Sequence, residues 1–224
     1  MYACLLAYLL PFIYKECALL ATLRHPNIVT MFGGDWSTPE PLLVMEYCSG
    51  RSLATKIEAA DNAALPASTR LAILCDVASG LRYLHAMNPP IGHFDLKPAN
   101  VLLMADATAK LADFGHSLQL SKRRDGRRGT PRFRAPEVVE GRELSVSADM
   151  WSFACVLVCV CEWRQEPYQF DGGGEACDKA VCEGKLVPSV SEPAFLAEVC
   201  RSCVDAPQYR WSSAKVHKSL LKKL

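Results

Sequence analysis

Apolar residues recur at three- and four-residue steps between Ala67 and Met87, at Leu71, Leu74, Val77, Leu81 and Leu84, with basic groups on the other face. That spacing predicts an amphipathic helix running through a core. From Ala148 to Cys161 nearly every position is apolar, which predicts a helix buried all round. Three shorter amphipathic stretches follow, near residues 175 to 184, 193 to 204 and 212 to 223. The first fifty residues read differently. Pro11 suits the first turn of a helix, and Phe12, Leu19, Leu20 and Leu23 keep roughly helical spacing as far as Arg24. Pro26 disfavours helical geometry at His25, and the run from Ile28 to Phe32 predicts a strand closed by Gly33 and Gly34. Leu42 to Tyr47 predicts a second strand, ended by Cys48-Ser49-Gly50, where serine and glycine mark a connector. Val101-Leu102-Leu103 and Ala109-Lys110-Leu111-Ala112 bracket a polar turn and predict a small hairpin.

Composition narrows the class. The 224 residues are 50% hydrophobic and 22% charged, enough to bury a large core in one compact domain or a two-lobed unit. Lys+Arg 25 against Asp+Glu 24 leaves a formal charge of +1, so no overall field recruits nucleic acid or an anionic membrane, and neither is expected as a partner. Met1 to Leu10 is apolar but shorter than a membrane span, and it lacks the basic flank of a secretory signal. Eleven cysteines make an odd count, and Cys155, Cys159 and Cys161 fall within an apolar run as small core hydrophobes. Reduced thiols and a cytoplasmic location are the expectation. Cys200-Arg201-Ser202-Cys203 has no second pair or nearby histidine, so metal or redox chemistry is not expected there. His25, His85, His116 and His217 have no metal-ligand spacing with one another.

The chemistry is concentrated in His93-Phe94-Asp95-Leu96-Lys97-Pro98-Ala99-Asn100 and, thirteen positions on, Asp113-Phe114-Gly115. An aspartate in a polar loop is usually a turn-former or a helix cap. Here Lys97 and Asn100 follow Asp95 at two and five residues, and the set resembles the phosphoryl-transfer centre of a eukaryotic protein kinase. Gly129-Thr130-Pro131-Arg132-Phe133-Arg134-Ala135-Pro136-Glu137 resembles the end of a kinase activation segment, and Asp149-Met150-Trp151-Ser152 the start of its buried central helix. Lys97 with Thr130 favours the serine/threonine type. Leu23 to Val29, Leu81 to His85 and Met45-Glu46-Tyr47 are similar to the tyrosine-kinase-like group.

The resemblance implies an α+β, bilobal fold, with a partial N-lobe of one helix and two strands over residues 1–47 and a complete, mainly helical C-lobe over residues 48–224. It implies Mg-ATP as phosphoryl donor, a protein serine or threonine as acceptor, and a place in signal transduction. Asp95 would be the base and Lys97 the phosphoryl contact, while Asn100 and Asp113 would ligate Mg²⁺, with Gly115 allowing a tight backbone path beside Asp113. Met45 would be the gatekeeper, with the backbone of Glu46 and Cys48 and the side chain of Leu102 around adenine. Glu16 takes the place of the regulatory-helix glutamate. Leu20, Met31, Phe114 and His93 would stack in a column anchored by Asp149, and Arg210 would pair with Glu137. Oligomeric state, substrate identity and upstream activator have no signature.

Two departures follow. Phe94 stands where most kinases carry arginine, so loop phosphorylation should matter less. Lys122 to Arg128 holds five basic residues and one acid, either a grip for phosphate or acidic substrate or a solvated loop, with Ser117, Ser121 and Thr130 as phosphorylation candidates. The second departure is at the front: the fifteen residues before Glu16 contain no glycine and no V-A-x-K. Lys15 cannot substitute, because neighbouring helix residues point about 100° apart. The expectation is an N-terminally incomplete kinase domain. Its alternative is a catalytically inactive kinase-like module that binds or scaffolds a partner.

Overall fold

The computed structural model describes residues 16–35, 42–59, 65–120 and 128–224. Its core is organised by the most apolar stretch of the chain. Every residue from Ala148 to Val160 is buried in a helix, Ser147–Glu162, that ends where Trp163 turns left-handed and its N–H bonds to the Cys159 carbonyl. A helix apolar on all faces has to be enclosed by others. Here the enclosing set includes the helices Ala67–His85 and Ala194–Cys203. In chain order the helices are α1 (residues 16–20), α2 (Leu53–Glu58), α3 (Ala67–His85), α4 (Pro136–Val139), α5 (Ser147–Glu162), α6 (Gly174–Cys182), α7 (Ala194–Cys203) and α8 (Ser213–Leu221). α8 lies against α3. The buried positions of α3 include Leu74, Val77, Leu81 and Leu84, four of the five residues whose spacing predicted it.

Among the described residues the strands are short and form two-stranded pairs. β1 (Met31–Asp35) runs antiparallel to β2 (Leu42–Met45), β3 (Ile91–Gly92) to β6 (Leu118–Gln119), and β4 (Val101–Leu103) to β5 (Ala109–Leu111). The last pair is the hairpin expected from sequence.

β1 differs from its expectation. It begins three residues later and contains Gly33 and Gly34, with a register break between Met31 and Gly33. The reason is that the preceding residues are committed elsewhere: Val29 N–H bonds to Leu111 O at 3.0 Å, and Leu111 N–H bonds to Asn27 O at 2.9 Å. His25 to Val29 therefore docks on β5 rather than pairing with β2. The break lets the chain turn from one partner to the other.

α2 was unexpected. Six residues are too few for a periodic signal, but Ser52 caps it, its Oγ accepting from Thr55 N–H at 3.1 Å, and Leu53 and Ile57 face the core. The part of the first predicted helix before residue 16 lies outside the described residues, and so does most of the basic segment, residues 121–127.

Candidate functional site

The loop from His93 to Asn100 leaves β3 and closes in a 3₁₀ turn at Pro98–Asn100. Its anchor is Asp149, which has 0% exposure in α5. One carboxylate oxygen accepts from His93 N–H and the other from Phe94 N–H, both at 2.8 Å. His85 Nε2 approaches the first oxygen to 2.9 Å. Burial pushes the Asp149 carboxyl up, but the His85 bond and charge, with the loop amides, outweigh it and hold the group below the ordinary range. This clamp retains Phe94 at φ 60°, a left-handed conformation uncommon for a bulky residue. The Phe94 ring is buried over Gly92, where a Cβ would lie 2.2 Å from the ring. One turn along the same face of α5, Ser152 Oγ donates to the Phe133 carbonyl at 2.8 Å.

The two- and five-residue steps fold back on Asp95. Lys97 Nζ donates to Asp95 Oδ2 at 2.8 Å and to Thr130 Oγ1 at 2.6 Å, while the Thr130 hydroxyl donates to Asp95 Oδ1 at 2.7 Å. Asn100 Nδ2 donates to Asp95 O at 2.9 Å and to Asp95 Oδ2 at 3.0 Å. Burial raises the Asp95 carboxyl, yet the bonds from Lys97 and Thr130 and the lysine's charge prevail, leaving it below its usual value. Asp95 is thus a nearly buried carboxylate kept ionised by its neighbours.

Asp113 is held next to this loop. Ala112 N–H bonds to Asn100 O at 3.0 Å, His93 Nε2 meets Ala112 O at 3.1 Å, and the rings of His93 and Phe114 lie 5.1 Å apart. The backbone strain falls on Asp113 itself, at φ 61°. Gly115 serves close approach instead, since a Cβ there would lie 3.3 Å from Asp113 Oδ1 and 3.6 Å from Glu16 Oε2. Phe114 N–H bonds to Glu16 Oε1 at 3.0 Å. Burial raises the Glu16 carboxyl, the Phe114 amide opposes this, and the charge of Asp113 adds to the rise.

The donor chemistry of Asn100 and Asp113 fits a hard divalent cation. Both bonds from Asn100 leave through Nδ2, which fixes the amide orientation and turns its oxygen away from Asp95, and Asp113 offers a carboxylate. Among the described residues no group of three or more His, Cys, Asp or Glu could hold a metal.

At the end of β2 the Glu46 N–H bonds to Thr30 O at 2.8 Å, and its carboxylate is drawn back to Thr30 N–H and to Lys110 Nζ, both at 3.1 Å. Lys110 also donates to Pro26 O at 2.7 Å. Arg51 N–H takes the Cys48 carbonyl. The Glu46 carbonyl and the Cys48 N–H have no backbone partner among the described residues. Leu102 is half-buried on β4, and Met45 is exposed.

The family described as protein kinase domain matches residues 11–221. The chain belongs to the protein kinase family. Its kinase relatives include the dual specificity protein kinase shkA of Dictyostelium discoideum, 37% identical over 202 residues that cover 85% of this chain and 37% of that protein. The probable serine/threonine-protein kinase drkC of the same organism is 32% identical over 217 residues, 92% of this chain and 28% of that protein. The serine/threonine-protein kinase CTR1 of Arabidopsis thaliana is 38% identical over 147 residues, 64% of this chain and 18% of that protein. The chain therefore spans well under half the length of each.

Within this kinase domain the activation-segment end is tied down on several sides. Arg210 pairs with Glu137 as the resemblance implied, Arg132 donates to Phe170 O and Gly172 O, and Arg134 reaches Asp178 on α6. Sequence reasoning did not assign His85 to Asp149, Lys110 to Glu46, or Arg134 to anything. His85 alone carried a signal: it follows Leu81 by four residues and so lies on the core face of α3. The C-x-x-C cysteines are buried, and burial pushes the Cys200 thiol up to about 12, as expected of inert core thiols. No helix among the described residues is long and apolar enough to cross a membrane.

Proposed function

We propose that this domain transfers the γ-phosphoryl of Mg-ATP to serine or threonine hydroxyls of proteins, and that it belongs with the tyrosine-kinase-like group. The observation that carries the reading is the closed network joining Asp95, Lys97, Thr130 and Asn100. A scaffold has no physical need for an ionised, nearly buried carboxylate bridged to a lysine.

In this reading an acceptor hydroxyl donates to the remaining acceptor position of the Asp95 carboxylate, beside the Thr130 hydroxyl, and Asp95 orients it and takes its proton as the new oxygen–phosphorus bond forms and the bond to ADP breaks. Lys97 stays within reach of both Asp95 and the transferring phosphoryl, so its ammonium offsets negative charge at the moment of transfer. Asn100 and Asp113 would hold Mg²⁺, which when bound neutralises charge on the nucleotide phosphates. The Glu46 carbonyl and Cys48 N–H would pair with the adenine edge, with Met45 and Leu102 beside it. Phe114 and Glu16 keep Asp113 against the catalytic loop.

Glu16 favours a second reading, a kinase-like module that binds without phosphorylating. Its carboxylate meets the Phe114 amide, and its surroundings contribute a repelling aspartate charge.

Radiolabelled transfer from ATP to a generic basic protein, compared between the parent chain and Asp95→Asn, separates the two. Transfer by the parent that is lost in Asp95→Asn and on chelation of Mg²⁺ supports the kinase. Equal signals from both proteins reject it. Hydrolysis of the labelled product should release phosphoserine or phosphothreonine. A relative named as dual specificity makes phosphotyrosine the result that would overturn the acceptor assignment.

A further inference from the structure

We propose that Arg134 is a positioning residue for phosphoryl transfer, bracing the Gly129 carbonyl from Asp178 so that the Thr130 hydroxyl stays on Asp95. This rests on the kinase reading above and adds to it the means by which the acceptor shelf is fixed.

All three nitrogens of the Arg134 guanidinium donate. Nε donates to the carbonyls of Arg128 and Gly129, each at 2.9 Å, Nη2 donates to Gly129 O, and Nη1 donates to Asp178 Oδ2 at 2.9 Å. Asp178 is 2% exposed on α6, so its carboxylate is itself a fixed point rather than a mobile surface charge. A planar fork held at one end by a buried carboxylate can define where a carbonyl lies, which a flexible ammonium cannot do as well.

What it defines is the residue next to Thr130. Gly129 has φ +78°, and a Cβ there would come within 2.2 Å of the Phe94 carbonyl. The peptide is therefore pressed between the catalytic loop on one side and Arg134 on the other. Thr130, one residue on, makes two short contacts, to Asp95 and Lys97. Arg132 has a different target: it ties the segment to Phe170, Gly172 and Glu166 in the loop ahead of α6, away from Asp95.

Phe94 brings no charge to this region. In its absence Arg134 supplies an internal cation that binds the segment's own carbonyls directly, with no phosphate between them.

The test is a double-mutant cycle between Arg134→Met and Thr130→Val, read as kcat and KM for transfer to the basic protein. If Arg134 acts through Thr130, Arg134→Met lowers kcat roughly 10- to 100-fold in the parent with the ATP KM within about twofold, and lowers it less than about twofold when Thr130 is already valine. An equal loss in both backgrounds, or no loss, overturns the proposal.

Should Arg134→Met fail to fold, Arg134→Lys takes its place. It keeps the charge facing Asp178 but loses the fork, and a partial loss of kcat confined to the Thr130 background supports the proposal, while unchanged kcat overturns it. If the parent transfers no phosphate, the kinase reading fails on its own. The brace is then judged by amide hydrogen exchange at residues 129 and 130, where faster exchange in Arg134→Lys supports it and identical exchange overturns it.

Discussion

Arg210 Nη2 donates to Glu137 Oε2 at 2.9 Å and Nη1 to Oε1, joining the end of the activation segment to the start of the last helical region with side chains only 2% and 7% exposed. Arg210 also donates to Ser147 O at 3.0 Å and Asp205 O at 2.8 Å. Removing it would strand a buried carboxylate, at a cost of about 3 to 5 kcal/mol. Arg210→Ala should therefore shift the urea midpoint far downward while leaving the residues of the chemistry in place. A variant that denatures like the parent would show the pair to be unimportant.

The acid limb of the rate profile should report Asp95. Its carboxyl lies below the ordinary aspartate value of about 3.9, so it stays ionised and able to accept a proton from about pH 5 upward. Lys97→Met removes a hydrogen bond and a charge that lower it, and the group should then lose its proton only at higher pH. Profiles of kcat/KM against pH for the two proteins should have acid limbs displaced toward neutrality in the variant. Superimposable limbs would mean that Lys97 does not set the ionisation of Asp95.

Gly92 is required by Phe94. A methyl group at position 92 would lie 2.2 Å from the ring, and the ring is buried with its backbone already at φ 60°. Gly92→Ala should cost about 1 to 3 kcal/mol by overpacking, and the smaller side chain of Phe94→Leu should recover part of it. Chemical denaturation of both backgrounds checks this. Equal penalties would place the strain elsewhere.

Glu16 should give the opposite pH trend from Asp95. A carboxyl whose folded value is raised contributes stability below its unfolded value, about 4.3, and loses that contribution as pH rises through the folded one. Compared with Glu16→Gln, the parent should become relatively less stable between about pH 4 and pH 7. Melting curves at the two pH values read the difference directly. A gap that does not change with pH would exclude burial and Asp113 as the cause.

Much of this was legible along the chain because the relevant signals are local. α3 and α5 announced themselves by periodicity and by continuous apolar character, while Asp95, Lys97 and Asn100 were picked out by resemblance to a kinase motif whose steps are short enough for one loop to fold on itself. The pairing of Arg210 with Glu137 came only from family resemblance, since nothing near either residue specifies a partner so distant. Contacts such as His85 with Asp149 and Arg134 with Asp178 were missed for the same reason: they exist only after helices pack. β1 was misplaced because a strand-forming run does not state which neighbour it will join. Ile28 and Val29 lie against β5, and the glycines after them carry the pairing with β2.

Asp149 and Ser152 lie on one helix three residues apart, one gripping the amides of the catalytic loop and the other the carbonyl of Phe133. The separation of the Asp95 loop from the segment that carries Phe133 is thus graduated by the rise along α5, about 4.5 Å over that interval, and not by the length of any loop. Adding a single residue between the two would swing one grip about 100° around the helix axis. The domain would keep Asp95, Lys97 and Thr130 and lose the ruler that sets them in register.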